Sequence, residues 1–145
     1  MTPYLADAEK KFEAFLAQHD LKYTSQRRTI LLEAFESKRH FGAEELLELV
    51  KKRDRTISKA TLYRTLALLI QSKLFEEHDF GDGHMSYEPM VGKQHHDHLI
   101  CVKCKSILEF ESEEIEKIQE EEARKQGFKI LSHSHKLFGL CKRCR

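Results

Sequence analysis

Cys101, Cys104, Cys141 and Cys144 are all the cysteines of the chain, and they fall into two Cys-x-x-Cys pairs. Each pair presents two sulfurs as a claw, and two claws supply the four ligands of a tetrahedral zinc site. Just before the first claw stand His95, His96, Asp97 and His98. Imidazole and carboxylate are harder donors than thiolate and suit a second, different metal. One short segment thus points to a structural metal and a working metal side by side.

The 36 residues between the claws, 105–140, exceed the gap of a compact zinc ribbon, so a folded strand-helix-strand insert has to bring them together. The competing chemistries are two redox dithiols or two disulfides. The chain carries no secretory signal and is expected to be cytoplasmic, where structural disulfides are rare. A redox pair needs a strand-to-helix junction, and Cys141-Lys-Arg-Cys144 is followed by a single residue.

If residues 95–98 are extended, side chains alternate between faces. His96 and His98 then point one way and His95 and Asp97 the other, so the run can serve two sites that each need ligands from elsewhere. His40, His78, His84, His133, His135, Glu88, Glu109 and Glu116 are the candidates, while His19 and His135 also read as ordinary surface histidines. A metal-dependent hydrolase is the enzymatic alternative, but no nucleophile elbow, phosphate loop or HExxH helix supports it.

These residues need a scaffold. With 145 residues, 40% hydrophobic and 34% charged, the chain makes one domain or two small ones. Its apolar runs are too short to span a bilayer. Net charge is +1, yet residues 21–75 hold 12 Lys/Arg against 6 Asp/Glu, and residues 76–145 hold 11 against 14. A basic first half and an acidic, ligand-rich second half suggest anion or nucleic-acid binding followed by metal binding.

Leu5, Ala8, Phe12, Phe15 and Leu16 recur at helical spacing, predicting a helix over 4–18. Thr24 or Ser25 caps a second helix, Gly42 opens a third and Ser58 caps a fourth with Leu62, Leu66, Leu69 and Ile70 inside. Leu74–Phe80, a Gly81-Asp82-Gly83 turn and His84–Glu88 form a hairpin. Short helices followed by a hairpin describe a winged helix. Beyond a boundary near Pro89–Gln94, strands are expected at His98–Val102 and Ser106–Phe110. A helix runs from Ser112 to Gly127, and Phe128–Leu140 reads as one long strand or two. The fold class is α+β, with residues 1–90 as the winged helix and 91–145 as a small α/β unit closed by the cysteines.

Off its apolar stripe, the fourth helix carries Lys59, Ala60, Thr61, Tyr63, Arg64 and Ala67. Small residues allow close approach to a groove, and Lys, Arg and Tyr meet phosphates, guanine edges or thymine methyls. The second helix of a helix-turn-helix enters the major groove of double-stranded DNA. Arg27 and Arg28 begin the second helix and are candidate backbone contacts. The bland alternative is a solvated polar face.

The chain resembles the ferric uptake regulator family of bacterial metal-responsive repressors. The carriers are Ala60-Thr-Leu-Tyr-Arg-Thr-Leu66, His95-His-Asp-His-Leu-Ile-Cys101 followed by Cys104, Leu108-Glu-Phe110 and the final Cys-x-x-Cys. The resemblance implies a winged-helix DNA-binding domain joined to an α/β dimerisation domain, working as a homodimer on AT-rich inverted-repeat operators. It assigns structural Zn2+ to Cys101, Cys104, Cys141 and Cys144. A regulatory cation at the hinge would take His40, Glu88, His96, His98 and Glu109, and an additional one would take His95, Asp97, Glu116 and His133. The family spans iron, zinc, manganese, nickel and peroxide sensors. Peroxide sensors typically have Asp where Glu109 stands, and many zinc sensors have Cys near Glu88. The resemblance therefore favours Fe2+, with Mn2+ or Zn2+ as substitutes, and repression of iron-uptake genes.

Overall fold

The computed structural model describes residues 3–37 and 40–145. The chain forms two compact units, Met1–Lys93 and Gln94–Arg145. In the first, helices α1 (Pro3–Gln18), α2 (Ser25–Glu36), α3 (Ala43–Arg53) and α4 (Lys59–Gln71) precede the hairpin β2 (Phe75–Asp79) and β3 (Met85–Pro89). A two-residue strand β1 (Phe41–Gly42) adds to the free edge of β3, giving an antiparallel sheet in the order β1-β3-β2. Strand β1 is not predictable from the residues, because two are too few to display an alternation.

Local chemistry sets the helix ends. Thr24 accepts from the Arg27 amide at 3.2 Å and Ser58 from the Thr61 amide at 3.1 Å, each satisfying a donor at the first turn. At the other ends, Asp20 and Lys73 take left-handed φ values of 55° and 63°. The Leu21 amide then reaches back to the Leu16 carbonyl at 2.9 Å, and the Leu74 amide to that of Leu69 at 3.1 Å. In the hairpin loop, Asp79 and Asp82 carboxylates accept from the Gly81 and His84 amides at 2.9 and 3.2 Å.

The apolar stripes of the four helices and the inner face of the hairpin make one core. It includes Phe12, Leu16, Ile30, Leu46, Ile57, Leu62, Leu66, Leu69 and Phe75. Helix α1 is part of that core: Ala8, Phe12 and Leu16 are fully buried. Outside it, Glu9 accepts from Arg28 at 2.7 Å and from the Tyr23 hydroxyl at 2.9 Å. Burial alone would raise the Glu9 carboxyl, but these donors outweigh it and hold the group below its ordinary range. The clamp therefore stabilises at neutral pH and is lost as pH falls through the lowered folded value.

The second unit is built differently. Strand β4 (Asp97–Cys101) lies at the centre of a three-stranded sheet. It pairs antiparallel with β5 (Ile107–Phe110) and parallel with β6 (Lys136–Gly139). Helix α5 (Glu113–Lys125) is capped by Ser112 and has no buried residue. Gly127, at φ 66°, ends it with the Phe128 amide on the Ala123 carbonyl at 2.8 Å. The expected strand over Phe128–Leu140 is corrected: only Lys136–Gly139 is strand. Pairing with the short β4 starts at His98↔Lys136, with the His98 amide on the His135 carbonyl at 3.2 Å, and before it Phe128 and Leu131 stand 72% and 88% exposed. His133 and His135 consequently do not share a strand face.

Replacing Phe12 by Ala should cost the first unit about 3–5 kcal/mol in urea unfolding, the usual range for an emptied aromatic core site. A loss under about 1 kcal/mol, well short of that range, would show that α1 is dispensable to the core.

Candidate metal centre

The first claw is a knuckle at the end of β4. Its Lys105 takes φ 63°, with the Lys105 amide on the Cys101 carbonyl at 2.9 Å and the Cys101 amide on the Ser106 carbonyl at 3.0 Å. The second follows β6, whose parallel pairing with β4 carries Cys141 alongside Cys101. All four sulfurs lie within 4.8 Å of one another, and Cys104 and Cys141 are 3.7 Å apart. Tetrahedral coordination at a Zn–S distance of about 2.3 Å requires sulfurs about 3.8 Å apart.

Electrostatics favour the same occupant. Amides of Cys104 and Cys141 donate to Cys101 Sγ at 3.5 and 3.4 Å and lower its thiol to about 6. A hydrogen bond with Ser106 lowers Cys104. A hydrogen bond with Cys141, then burial and hydrogen bonds with the other two sulfurs, pushes Cys144 up to about 12. Four adjacent thiols cannot all ionise without a cation among them, and the donor set fits zinc.

A second cluster stands at the start of β4. His95 Nε2 is 3.3 Å from Asp97 Oδ1 and 3.2 Å from Glu116 Oε1. His133 Nε2 lies 2.9 Å from His95 Nε2 and 3.2 Å from Glu116 Oε1. Asp97 is 1% exposed and neither carboxylate oxygen accepts a hydrogen bond. A buried carboxylate so placed calls for a partner, and two imidazoles and a second carboxylate converge on it. His135 is more remote, with Nδ1 4.0 Å from Asp97 Oδ2. Gln119, which nothing in the sequence singles out, donates to Glu116 Oε2 at 2.7 Å and so orients that carboxylate.

In the second unit, His98 faces Glu109 across β4 and β5, His96 Nε2 is 3.8 Å from Glu109 Oε1, and the His96 and His98 rings are 5.0 Å apart. In the first, Glu88 on β3 is fully buried, with His40 Nδ1 3.9 Å from Oε2. His78 Nε2 is nearer, at 3.0 Å, and Lys93 Nζ lies 2.8 Å from Oε1. Nothing in the sequence links His78 or Lys93 to this carboxylate. The Glu76↔Glu88 register that brings β2 against β3 exists only in the folded hairpin.

On α4, Lys59, Ala60, Tyr63, Arg64 and Ala67 are exposed, and Thr61 is half-buried with its amide on the Ser58 cap. Lys59 pairs with Glu44 at 2.5 Å and lies over the Tyr63 ring at 5.8 Å. Arg27 donates to the Lys22 carbonyl at 2.6 Å, while Arg28 is held by Glu9. Among the described residues, no helix is long and apolar enough to cross a membrane.

Four helices with a winged hairpin, followed by an α/β unit that gathers thiolates in one place and imidazoles with carboxylates in others, define a metal-binding winged-helix protein. Residues 18–138 match the Ferric uptake regulator family. The chain is 38% identical over 137 residues to the ferric uptake regulation protein of Campylobacter jejuni, covering 93% of this chain and 87% of that one. It is 38% identical over 136 residues to that of Rhizobium leguminosarum bv. viciae, covering 94% and 95%. The structure of the Helicobacter pylori ferric uptake regulator, which reveals three functional metal-binding sites, is similar with a TM-score of 0.85. That match has 30% identity and covers 97% of this chain and 93% of that one. The chain belongs to the ferric uptake regulator family of metal-responsive transcriptional regulators.

Cys101→Ser should abolish stoichiometric zinc, measured by mass spectrometry of the purified protein. Amide exchange should then accelerate throughout residues 94–145 and stay slow in the helices of the first unit. A zinc-free variant with full protection in the second unit would contradict this.

Proposed function

We propose that this protein is an Fe2+-sensing repressor of iron-uptake genes, cytoplasmic, and active as a homodimer on AT-rich inverted-repeat DNA. The observation that carries the metal assignment is the separation of donor types. Sulfur ligands gather in one cluster, while buried carboxylates with imidazoles stand apart from it. Thiolates retain zinc, whereas mixed nitrogen and oxygen donors suit Fe2+ or Mn2+. Three functional metal sites in the Helicobacter pylori relative are in keeping with three donor groups here.

In this reading Cys101, Cys104, Cys141 and Cys144 hold Zn2+ and maintain the second unit. His40 and Glu88 from the first unit, with His96, His98 and Glu109 from the second, would hold the regulatory cation; Mn2+ or Zn2+ could replace Fe2+ there. His95, Asp97, Glu116 and His133 would hold the additional one. When bound, the regulatory cation supplies a charge that ligands of both units share, and so favours one of their arrangements.

The DNA reading assigns residues 1–90 to the operator and 91–145 to dimerisation. Lys59, Ala60, Thr61, Tyr63 and Arg64 would enter the major groove, with Arg27 on the backbone. Two such helices read an inverted repeat only when their spacing matches the helical turn of DNA, which makes a domain arrangement a switch. A second copy is supported by apolar side chains that the second unit leaves exposed, Leu99, Leu108, Ile118, Leu137 and Phe138 among them.

His96→Ala should retain zinc and a folded dimer. Its Mn2+-dependent affinity for an AT-rich inverted-repeat duplex, followed by fluorescence anisotropy, should fall at least about tenfold, or about 1.4 kcal/mol. Loss of folding or of zinc in this variant would defeat the separation between structural and regulatory sites.

A further inference from the structure

Glu88 is 0% exposed, and the ammonium of Lys93 lies 2.8 Å from its Oε1. The backbone aims this lysine. The Met90 amide donates to the Leu74 carbonyl at 2.9 Å and the Lys93 amide to the Met90 carbonyl at 3.3 Å, closing a turn. Gly92 occupies that turn at φ 76°, with the Tyr4 ring so close that an added Cβ would lie 2.9 Å from Tyr4 Cδ1. The first turn of α1 therefore packs on the segment that delivers Lys93, and only glycine fits between them.

We infer that Lys93 is an internal counter-ion for Glu88 that competes with the regulatory cation and sets the metal concentration at which the site fills. The inference rests on the reading of Glu88 as a regulatory ligand. A buried carboxylate without a cation is costly, and the ammonium on Oε1 offsets that cost in the metal-free protein. His78, 3.0 Å from Oε2, flanks the other oxygen. A divalent ion approaching Glu88 meets a positive charge already in place. Either the lysine leaves Oε1 and a charge-assisted hydrogen bond is lost, or it stays and repels the ion. Both routes weaken metal binding relative to the imidazole and carboxylate ligands alone. Lys93 retains 27% side-chain exposure, so its flexible stem has a path to water. The lysine thereby keeps the empty site stable and raises the threshold for filling it.

The test uses the zinc-loaded protein and Mn2+ as probe, with free Mn2+ followed by electron paramagnetic resonance. The binding class removed by His96→Ala is the one to follow. Lys93→Met deletes the charge and keeps the stem, and Lys93→Gln keeps a donor to Glu88 if the first variant folds poorly. Both should bind this class of Mn2+ about tenfold more tightly, the order expected for removing a unit charge near a divalent ion. Both should also lower the thermal midpoint of the Mn2+-free protein. Unchanged or weaker Mn2+ binding, with His96→Ala still removing a class, would overturn the role of Lys93 alone. If His96→Ala removes no class, the regulatory-site reading fails and the lysine inference with it.

Discussion

The second unit depends on a repulsion that must be neutralised. Four sulfurs lie within 4.8 Å of one another; amide donors lower Cys101 while neighbouring cysteines raise Cys144, and four thiolates so close repel one another unless a cation stands among them. Apolar burial cannot hold the unit in their place. No residue of helix α5 is fully buried, and the continuous core is made by residues from Ala8 to Tyr87. A structural zinc in a small domain contributes about 10–16 kcal/mol of apparent binding energy, far more than the few apolar side chains here could supply. Cross-linking β4 to the segment after β6 is thus what turns a sparse sheet and an amphipathic helix into a surface fit for a partner.

Two buried carboxylates show contrasting solutions to one electrostatic problem. Glu88 has an ammonium on one oxygen and an imidazole near the other. Asp97 has imidazoles at 3.3 and 4.0 Å and no hydrogen bond. The first carboxylate carries its own compensation within the chain. The second has weaker compensation and therefore a stronger demand for an external ion. Two carboxylates buried to the same degree can in this way differ in their need for a further cation.

Much of this was legible in the residues. Thr24, Ser58 and Ser112 announce helix starts because a hydroxyl before an apolar periodicity has one favoured use. The alternation over residues 95–98 follows from strand geometry, and the structure sets His95 beside Asp97 and the His96 ring near that of His98. The illegible parts depend on partners distant in sequence. β1 exists because β3 has an open edge, and the stretch 128–135 is irregular because β4 is short. Lys93 reads as one more surface lysine until a glycine turn under Tyr4 directs it inward. Gln119 acquires its role only when α5 lies beside His133.

The parallel pairing of β6 with β4 carries a consequence for how the molecule is made. Every residue of the apolar core is translated before Cys101, so the first unit can fold while the end of the chain is still being synthesised. The sheet that holds the claws cannot close until its last strand emerges, and each new chain passes through a period with a finished head and an open, thiol-bearing tail. Zinc supply in the cell would then govern maturation rather than sensing, and a shortage would leave immature chains exposed to oxidation and proteolysis instead of simply lowering repression.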